Sequence, residues 1–380
     1  MKLQQLLISE TNEHRTVSST ESFEANKADL ILVFGQRTLL EKVKPYTNLK
    51  LSFPNAQIVI CSSSGQISNQ CVIEKEIVAT AIDFEKTTIR TCEFDIVGNN
   101  DINDLGEMIN TKLGSPELKS ILVLSEGTHI NGTELINELI KQTNKKIPIF
   151  GGLAGDEYAF QKTIVGLNSD ARVGKIVIIG FYGDHIRFGY GSEGGWGDFG
   201  PEREVTQSDK NILYKIGDWY ALDLYKEYLG KYAKELPGSS LYFPLSMKEK
   251  GSSASVVRTI LSIDEEKKSM TFAGNIPQGS MVRLMKGNID KLIEASSEAA
   301  MKIVQQPDSN IRLALLVSCV GRRIVLGDRV EEELEVVKEI FGPKTILSGF
   351  YSYGEIAPTI EQVACELHNQ TMTITTLYEE

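Results

Sequence analysis

The chain has 380 residues, 41% hydrophobic and 24% charged, which are ordinary proportions for a globular protein of about two domains. The formal charge of −11 and the lack of a Lys/Arg cluster argue against a surface for nucleic-acid phosphates or anionic lipids. The five cysteines are scattered and never form a CxxC pair, which is typical of a reducing compartment and offers no metal-knuckle spacing.

Residues 1–28 are rich in Ser, Thr and Glu, and we predict an N-terminal extension in which Leu3–Ser9 forms an edge strand. No signal peptide is recognisable in this stretch. Apolar runs such as Ile176–Phe181 are far shorter than the roughly 20 residues of a membrane helix. We therefore expect a cytoplasmic protein that does not insert into a membrane.

A pattern of strand, loop, helix and strand recurs three times. The first strands are predicted at Leu30–Phe34, Ile121–Leu124 and Leu313–Val317, and the second strands at Gln57–Cys61, Ile147–Phe150 and Thr345–Leu347. Such units favour parallel pairing through a crossover, and the loops after their strands lie where α/β folds bind ligands. The sequence predicts an α/β (α+β) protein of two parts with mixed sheets.

The segments between these units do not show the strand–loop–helix–strand pattern. Glu74–Asp95 predicts two strands, and residues 163–191 predict a meander of three. The Gly-rich stretch Gly194–Pro201 predicts a loop. We place the domain boundary near Ile212–Gly217, which gives one domain at residues 29–215 and a second at residues 216–380.

The loops after the second strands supply most candidate ligand-binding residues. These candidates are Ser63, Ser64, Gly65, Gly152, Gly155, Asp156, Tyr351, Tyr353, Gly354 and Glu355. Glycine backbone N–H groups could hold a carboxylate, and Asp156 or Glu355 an amino group; the alternative is that the loops are only tight turns. Arg322, beside Arg323, could clamp a carboxylate, and His368 and Asn369 could reach a ligand.

Several of these segments together resemble the FIST domain family. The N-terminal half of that domain resembles Gly151–Asp156, Gly194–Pro201 and Val205-Thr206, and the C-terminal half resembles Ser318–Arg323, Leu326-Gly327, Glu331-Glu332, Gly349–Ile356 and Leu367–Thr371. The similarity runs from about Ala28 to the end of the chain. Where the family often has an acid after the early strand, this chain has Gln66, which suggests a different ligand preference.

The resemblance implies a sensory module that binds a small molecule, with amino acids as leading candidates. We expect no cofactor, with haem as the alternative. The output of the module would act in trans through a signalling protein such as a histidine kinase or a cyclic-di-nucleotide enzyme. Because some family members bind haem and sense nitric oxide, His185 is the axial-ligand candidate of a rival hypothesis. A second rival is an enzyme that uses Cys319 or the carboxylates of Asp156 and Glu355.

Overall fold

A computed structural model of the chain describes residues 1–96, 102–143, 146–252, 255–304, 311–359 and 362–380. The first part contains β1 (Lys2–Ile8), β2 (His14–Ser19), β3 (Leu30–Gly35), α1 (Arg37–Val43), α2 (Tyr46–Ser52), β4 (Gln57–Ser62), β5 (Gln66–Ser68), β6 (Cys71–Ile73), β7 (Ile77–Asp83) and β8 (Thr88–Asp95). It is followed by α3 (Ile102–Leu113), β9 (Leu118–Ser125), α4 (Gly132–Gln142), β10 (Ile149–Leu153), β11 (Val165–Leu167), β12 (Lys175–Tyr182) and β13 (Ile186–Glu193).

The next segment contains β14 (Gly197–Asp209), β15 (Ile212–Ile216), β16 (Trp219–Tyr220), α5 (Ala221–Leu229), β17 (Leu245–Lys248), β18 (Val256–Arg258), β19 (Ile260–Asp264), β20 (Ser269–Phe272) and β21 (Met281–Lys286). The last contains α6 (Ile289–Val304), β22 (Leu313–Cys319), α7 (Val320–Leu326), α8 (Glu332–Phe341), β23 (Ile346–Ser352), β24 (Gly354–Thr359), β25 (Gln362–His368) and β26 (Met372–Glu379). Within the described ranges, no helix is both long and apolar enough to cross a membrane.

Three six-stranded sheets share one layout. Their strand orders are β11-β4-β3-β7-β1-β2 in sheet 1, β25-β24-β10-β9-β12-β8 in sheet 2 and β6-β5-β23-β22-β26-β13 in sheet 3. Each contains a parallel pair, β3 with β4, β9 with β10 or β22 with β23, which confirms the predicted pairing of the three repeated units. An antiparallel strand completes each group beside the first member of the pair.

The three units exchange strands in a closed ring. The chain leaves β4 to add β5 and β6 to sheet 3, leaves β10 to add β11 to sheet 1, and leaves β23 to add β24 and β25 to sheet 2. Each unit therefore reaches across to one neighbour before its closing strand returns. The loops at the carboxyl ends of β4, β10 and β23 are the points where these exchanges begin.

The inner faces of the three sheets enclose one hydrophobic core, and we call this body the prism. Leu32, Leu124 and Leu315, one from each sheet, belong to the same buried cluster. The rings of Phe34 and Phe350 stack at 4.8 Å between sheets 1 and 3. Separate clusters fill the outer layers, beneath α1 and α2 on sheet 1, α3 and α4 on sheet 2, and α6 and α8 on sheet 3.

The second part is an eight-stranded antiparallel sheet inserted in the third unit, between β13 and α6. Its order is β18-β17-β21-β14-β15-β20-β19, with β16 beside β15, and it packs its own core against α5. Its two ends meet, because Gly197 and Lys286 are register partners in β14 and β21. The α/β class with mixed sheets in two parts is thus confirmed, and the predicted boundary at residues 215 and 216 falls inside this inserted sheet.

The predictions for several elements differ from the structure. The strand predicted at the edge, β1, is an inner strand, because β2 and β7 pair with it on both sides. The predicted meander is wrong, since β11, β12 and β13 lie in three different sheets. Gly194–Pro201 is partly strand, because β14 begins at Gly197 and Trp196 packs in a core cluster. The loop predicted before Gly327 contains α7.

Candidate functional site

The loops that follow β4, β10 and β23 meet at one place, which we call the junction (residues 62–66, 153–157 and 351–355). The backbone N–H of Gly155 donates to the carbonyl of Ser62 at 3.1 Å, and that of Tyr353 to the carbonyl of Leu153 at 3.1 Å. Ser64 and Tyr351 also bond through their backbones, at 2.9 Å. Every pair of loops is therefore joined directly, and the junction is closed rather than an open cleft.

Small residues at the junction permit this close approach. A Cβ atom on Gly155 would lie 2.3 Å from the Ser64 hydroxyl oxygen, and one on Gly152, near the end of β10, would lie 3.0 Å from the carbonyl oxygen of Gly354. Ser64 itself donates to the carbonyl of Glu157 at 2.8 Å. Gly152, Gly155 and Ser64 thus hold the loops together.

Gln66 is buried and its amide is used at both ends. Its oxygen accepts from the Ser63 hydroxyl at 2.8 Å, and its nitrogen donates to the carbonyl of Glu76 at 2.8 Å. A carboxylate at this position could not donate the second bond. Gln66 therefore serves an internal contact.

Asp156 organises the loop that follows β10. Its carboxylate accepts from the backbone N–H groups of Phe160 (2.8 Å), Gln161 (3.0 Å) and Lys162 (2.8 Å), and from the hydroxyl of Tyr353. With these four donors and only 3% exposure, this carboxylate fixes the loop in place and is turned away from solvent.

Glu355 is fully buried on β24. One carboxyl oxygen accepts from Ser352 at 2.7 Å, and the other accepts from the backbone N–H and the hydroxyl of Thr371 at 3.1 and 2.9 Å. Burial raises the pKa of the Glu355 carboxyl to about 8, against the lowering effect of these bonds.

Arg322 and Tyr351 belong to a polar cluster inside the third unit. Arg322 bonds to Glu333 at 2.9 Å and to the carbonyls of Leu292 and Gly194 at 2.7 and 2.6 Å, while the Tyr351 hydroxyl donates to Glu333 at 2.8 Å. The side chains of Arg322 and Glu333 have no exposed area. The predicted carboxylate clamp at Arg322 is therefore not available to a ligand from solvent.

The neighbouring Arg323 has a different environment. Its guanidinium bonds to the carbonyl of Ser64 and to Glu74, and lies 5.5 and 5.7 Å from the ring centroids of Tyr158 and Tyr351. It borders a cavity of about 620 Å³, which we call the junction cavity.

All three repeated units contribute to the junction cavity. Glu74 comes from the first, Tyr158 from the second, and Arg323, Asp328 and Glu331 from the third. One arginine thus faces three carboxylates, of which Glu74 is paired with it and Glu331 accepts from the backbone N–H of Val72 at 3.0 Å. The cavity can accommodate a carboxylate at one end and is suited to cationic groups elsewhere.

Of the remaining candidates, His368 and Asn369 lie where sheet 2 meets the inserted sheet. The Asn369 side chain accepts from the backbone N–H of Thr259 at 3.4 Å. Burial, followed by the charge of Arg258, lowers the pKa of His368 to about 4. Gly354 packs within sheet 2, where its Cβ would lie 3.0 Å from Leu367. Asn369 therefore connects the two parts of the molecule, and His368 lies close to the charge of Arg258 on the inserted sheet.

A second cavity, of about 480 Å³, lies at this contact, and we call it the seam cavity. Tyr353 and Leu153 line it from the junction, the loop between β9 and α4 lines it from the prism, and β19 and β20 line it from the inserted sheet. Tyr353 is thus the predicted ligand-binding residue that reaches a cavity.

The residues of the rival hypotheses lie elsewhere. His185 is exposed in the turn between β12 and β13 and lines neither cavity. Cys319 is buried, and burial, followed by the charge of Glu355, raises the pKa of its thiol well above the ordinary range. In the described part of the chain, no group of three or more His, Cys, Asp or Glu side chains is placed to hold a metal ion.

Sequence reasoning did not select Glu74, Tyr158, Asp328 or Glu331, because nothing local connects three distant segments. Arg323 did carry a signal, since it follows a strand beside Arg322. Consecutive residues of a helix point about 100° apart, so Arg322 faces the interior while Arg323 faces the cavity. The sequence did not predict this helix, and therefore it did not distinguish the two arginines.

The architecture defines the class as an α/β protein in which three repeated units form a closed prism and an antiparallel sheet is inserted in the third unit. Two family models match the chain, the FIST N domain at residues 29–218 and the FIST C domain at residues 221–358. The chain therefore belongs to the FIST domain family, whose domains are associated with sensing small ligands in signal transduction.

Among solved structures, a cyanuric acid hydrolase from A. caulinodans aligns over 100% of this chain and 99% of its own. The sequence identity is 6% and the TM-score is 0.39. A likeness at this level says nothing about what this chain binds. No match was found among curated proteins.

Proposed function

We propose that the protein is a cytoplasmic sensor of a free α-amino acid, which it binds in the junction cavity. The observation that supports this most directly is that one fixed guanidinium and three carboxylates line a single cavity built by all three units. Arg323 would hold the ligand carboxylate, partly replacing Glu74, and Asp328 and Glu331 would hold its amino group. The excess of carboxylates favours amino acids with a basic side chain.

Binding would act on the arrangement of the three units. A ligand that bridges Arg323 and Tyr158 connects α7 to the loop organised by Asp156, and that loop also supports Tyr353. Such a ligand stabilises one arrangement over others, and a partner that recognises this arrangement receives the signal. The partner we propose is a signalling protein in trans, such as a histidine kinase or a cyclic-di-nucleotide enzyme. Five free cysteines, four of them buried, are in keeping with a cytoplasmic setting.

The test is thermal melting of the full chain with a panel of amino acids. A ligand at 100 times its dissociation constant adds about 2.7 kcal/mol of stability, which is visible as a shift of the melting temperature. We expect the largest shift with lysine, arginine or ornithine. The amide of the best ligand, which lacks the carboxylate, and its N-acetyl derivative, which lacks the amine, should both lose the shift.

Arg323→Gln should abolish this shift, while Arg329→Gln is the matched control. Arg329 belongs to the same segment but pairs with Asp290 and Glu332 at the surface and does not line the cavity. A flat panel, or a shift that survives Arg323→Gln, contradicts the proposal.

A further inference from the structure

We propose that the seam cavity is a second binding site, which takes an uncharged planar aromatic molecule with ring hydrogen-bonding groups. This site is separate from the amino-acid site, because none of its lining residues borders the junction cavity. It lies between the prism and the inserted sheet, so its occupant contacts both parts of the molecule at once.

The charge of the walls selects against ions. Among the described residues that line the cavity there is no Asp, Glu, Lys or Arg, and the ring of the lining residue His129 is paired with Glu126 at 3.2 Å. An anionic ligand would lose hydration there without gaining a fixed opposite charge. Behind the wall lies Glu126, which is fully buried and accepts from the backbone N–H groups of Thr128 and His129 at 2.7 and 2.9 Å and from the hydroxyl of Thr163 at 2.8 Å. Although burial raises the pKa of Glu126, these bonds lower it below its usual value. Its negative charge disfavours an anion, and the donors that surround it, together with the ring of His129 at 3.2 Å, leave it no free position for a cationic ligand.

The aromatic residues of the wall favour a flat partner. The rings of Phe160 and Tyr353 stack at 4.4 Å with an angle of 12°, and both line the cavity. Phe272 lines it from the inserted sheet. A third ring placed against such a pair gains stacking energy in addition to burial.

Side-chain hydroxyl and amide groups on the cavity wall can orient a bound molecule through hydrogen bonds. Thr128 lines the cavity from the prism, and Asn211, Ser262 and Thr271 line it from the inserted sheet. A site with apolar walls and a few polar groups on opposite sides orients a small heteroaromatic molecule by its ring nitrogens and carbonyl groups. Thr128 and Asn211 already donate within the protein, to Glu126 and to the carbonyl of Phe272, and keep oxygen atoms that can accept from a ligand. A purely aliphatic ligand would leave the hydroxyls of Ser262 and Thr271 without a partner.

The experiment is saturation-transfer NMR and thermal melting of the full chain with indole, nicotinamide and adenine. Nicotinate, tryptamine and 9-(carboxymethyl)adenine are the charged counterparts of nicotinamide, indole and adenine. We expect at least one neutral probe to bind and its charged counterpart to bind more weakly. If none of the three neutral probes binds, or if the charged counterpart binds as well, the proposal is overturned.

Variants locate the bound probe. Ser262→Trp fills the cavity from an exposed strand position and should abolish binding, whereas Gln207→Trp, also exposed on the inserted sheet but outside the cavity, should leave it unchanged. Thr271→Val, a smaller change, should weaken binding about fivefold, as expected for one lost hydrogen bond. Arg323→Gln should have no effect on the probe. Binding that survives both cavity variants, or that depends on Arg323, overturns the proposal and leaves the amino-acid site as a separate question.

Discussion

At the scale of individual residues, Arg322 and Glu333 form the most deeply buried ion pair that the structure describes. Ser296, Ser318 and Tyr351 add hydrogen bonds to Glu333 at 3.2, 3.2 and 2.8 Å. Because neither side chain is exposed to solvent, each charge is stabilised in the interior only by the opposite charge of its partner.

We expect Arg322→Met to destabilise the protein by about 3–5 kcal/mol, because it leaves Glu333 charged and uncompensated in the interior. Adding Glu333→Leu should restore a large part of this loss. Urea denaturation of both variants measures the difference. Equal loss in the single and double variants would show that the arginine contributes by packing rather than by charge.

Glu355 predicts a pH dependence. Its carboxyl has a pKa raised from 4.5 to about 8 in the folded protein, so the folded state keeps a proton that the unfolded chain has released at intermediate pH. The stability contributed by this group is fully present below pH 4.5 and is lost as the pH rises through 8.

The wild-type protein should therefore lose stability between pH 5 and pH 8.5 more steeply than Glu355→Gln, which cannot ionise. The measurement is the free energy of unfolding in urea across this range for both proteins. Because all other titrating groups are shared, the difference between the two curves isolates Glu355. Parallel curves would mean that Glu355 is already ionised at pH 5.

At the scale of elements, the loop after β10 connects both cavities. Tyr158 lines the junction cavity, and Phe160 lines the seam cavity. Both residues lie within four positions of Asp156 in the same loop. The loop has no regular secondary structure, so the three N–H groups that Asp156 accepts are its main internal support.

We expect Asp156→Asn to destabilise the protein by about 1–3 kcal/mol, because the amide replaces a charged acceptor and turns a donor toward these N–H groups. Hydrogen exchange of residues 157–162 should accelerate in this variant. Asp218→Asn, at an exposed turn, is the matched control. Unchanged exchange in the loop would contradict the role assigned to Asp156.

The elements of the repeated units were predictable because they depend on neighbours in sequence. Leu30–Gly35 and Leu313–Cys319 are fully buried strands, and their continuous apolar runs indicated this. The placement of the exchanged strands β5, β11 and β24 was not predictable, because their partners lie in other units; β11 was predicted as a strand but placed in a meander with β12 and β13. The candidate site could not be predicted for the same reason, since Glu74, Tyr158 and Arg323 come together only when the three units exchange strands.

For the whole molecule, the ring of exchanges makes the prism one cooperative body despite its three units. Each of its sheets needs strands from two units, so no unit completes a sheet without a neighbour. The inserted sheet differs, because its strands pair only with one another and it has its own core. This difference predicts that the two parts are separable.

Replacing residues 198–285 with a short Gly-Ser linker should leave a folded prism, because Gly197 and Lys286 are register partners and their strand ends are already adjacent. The variant loses contacts at the seam, such as the bond from Arg258 to the carbonyl of Leu367 at 2.9 Å, and should melt at a lower temperature but still cooperatively. It should keep the amino-acid shift, since no residue of the inserted sheet lines the junction cavity, and lose binding of the planar probes. Calorimetry and the two ligand assays on this one variant test the architecture and both sites together. A broad, non-cooperative transition would mean that the inserted sheet is needed to hold the ring closed, and retained binding of a planar probe would place that probe outside the seam.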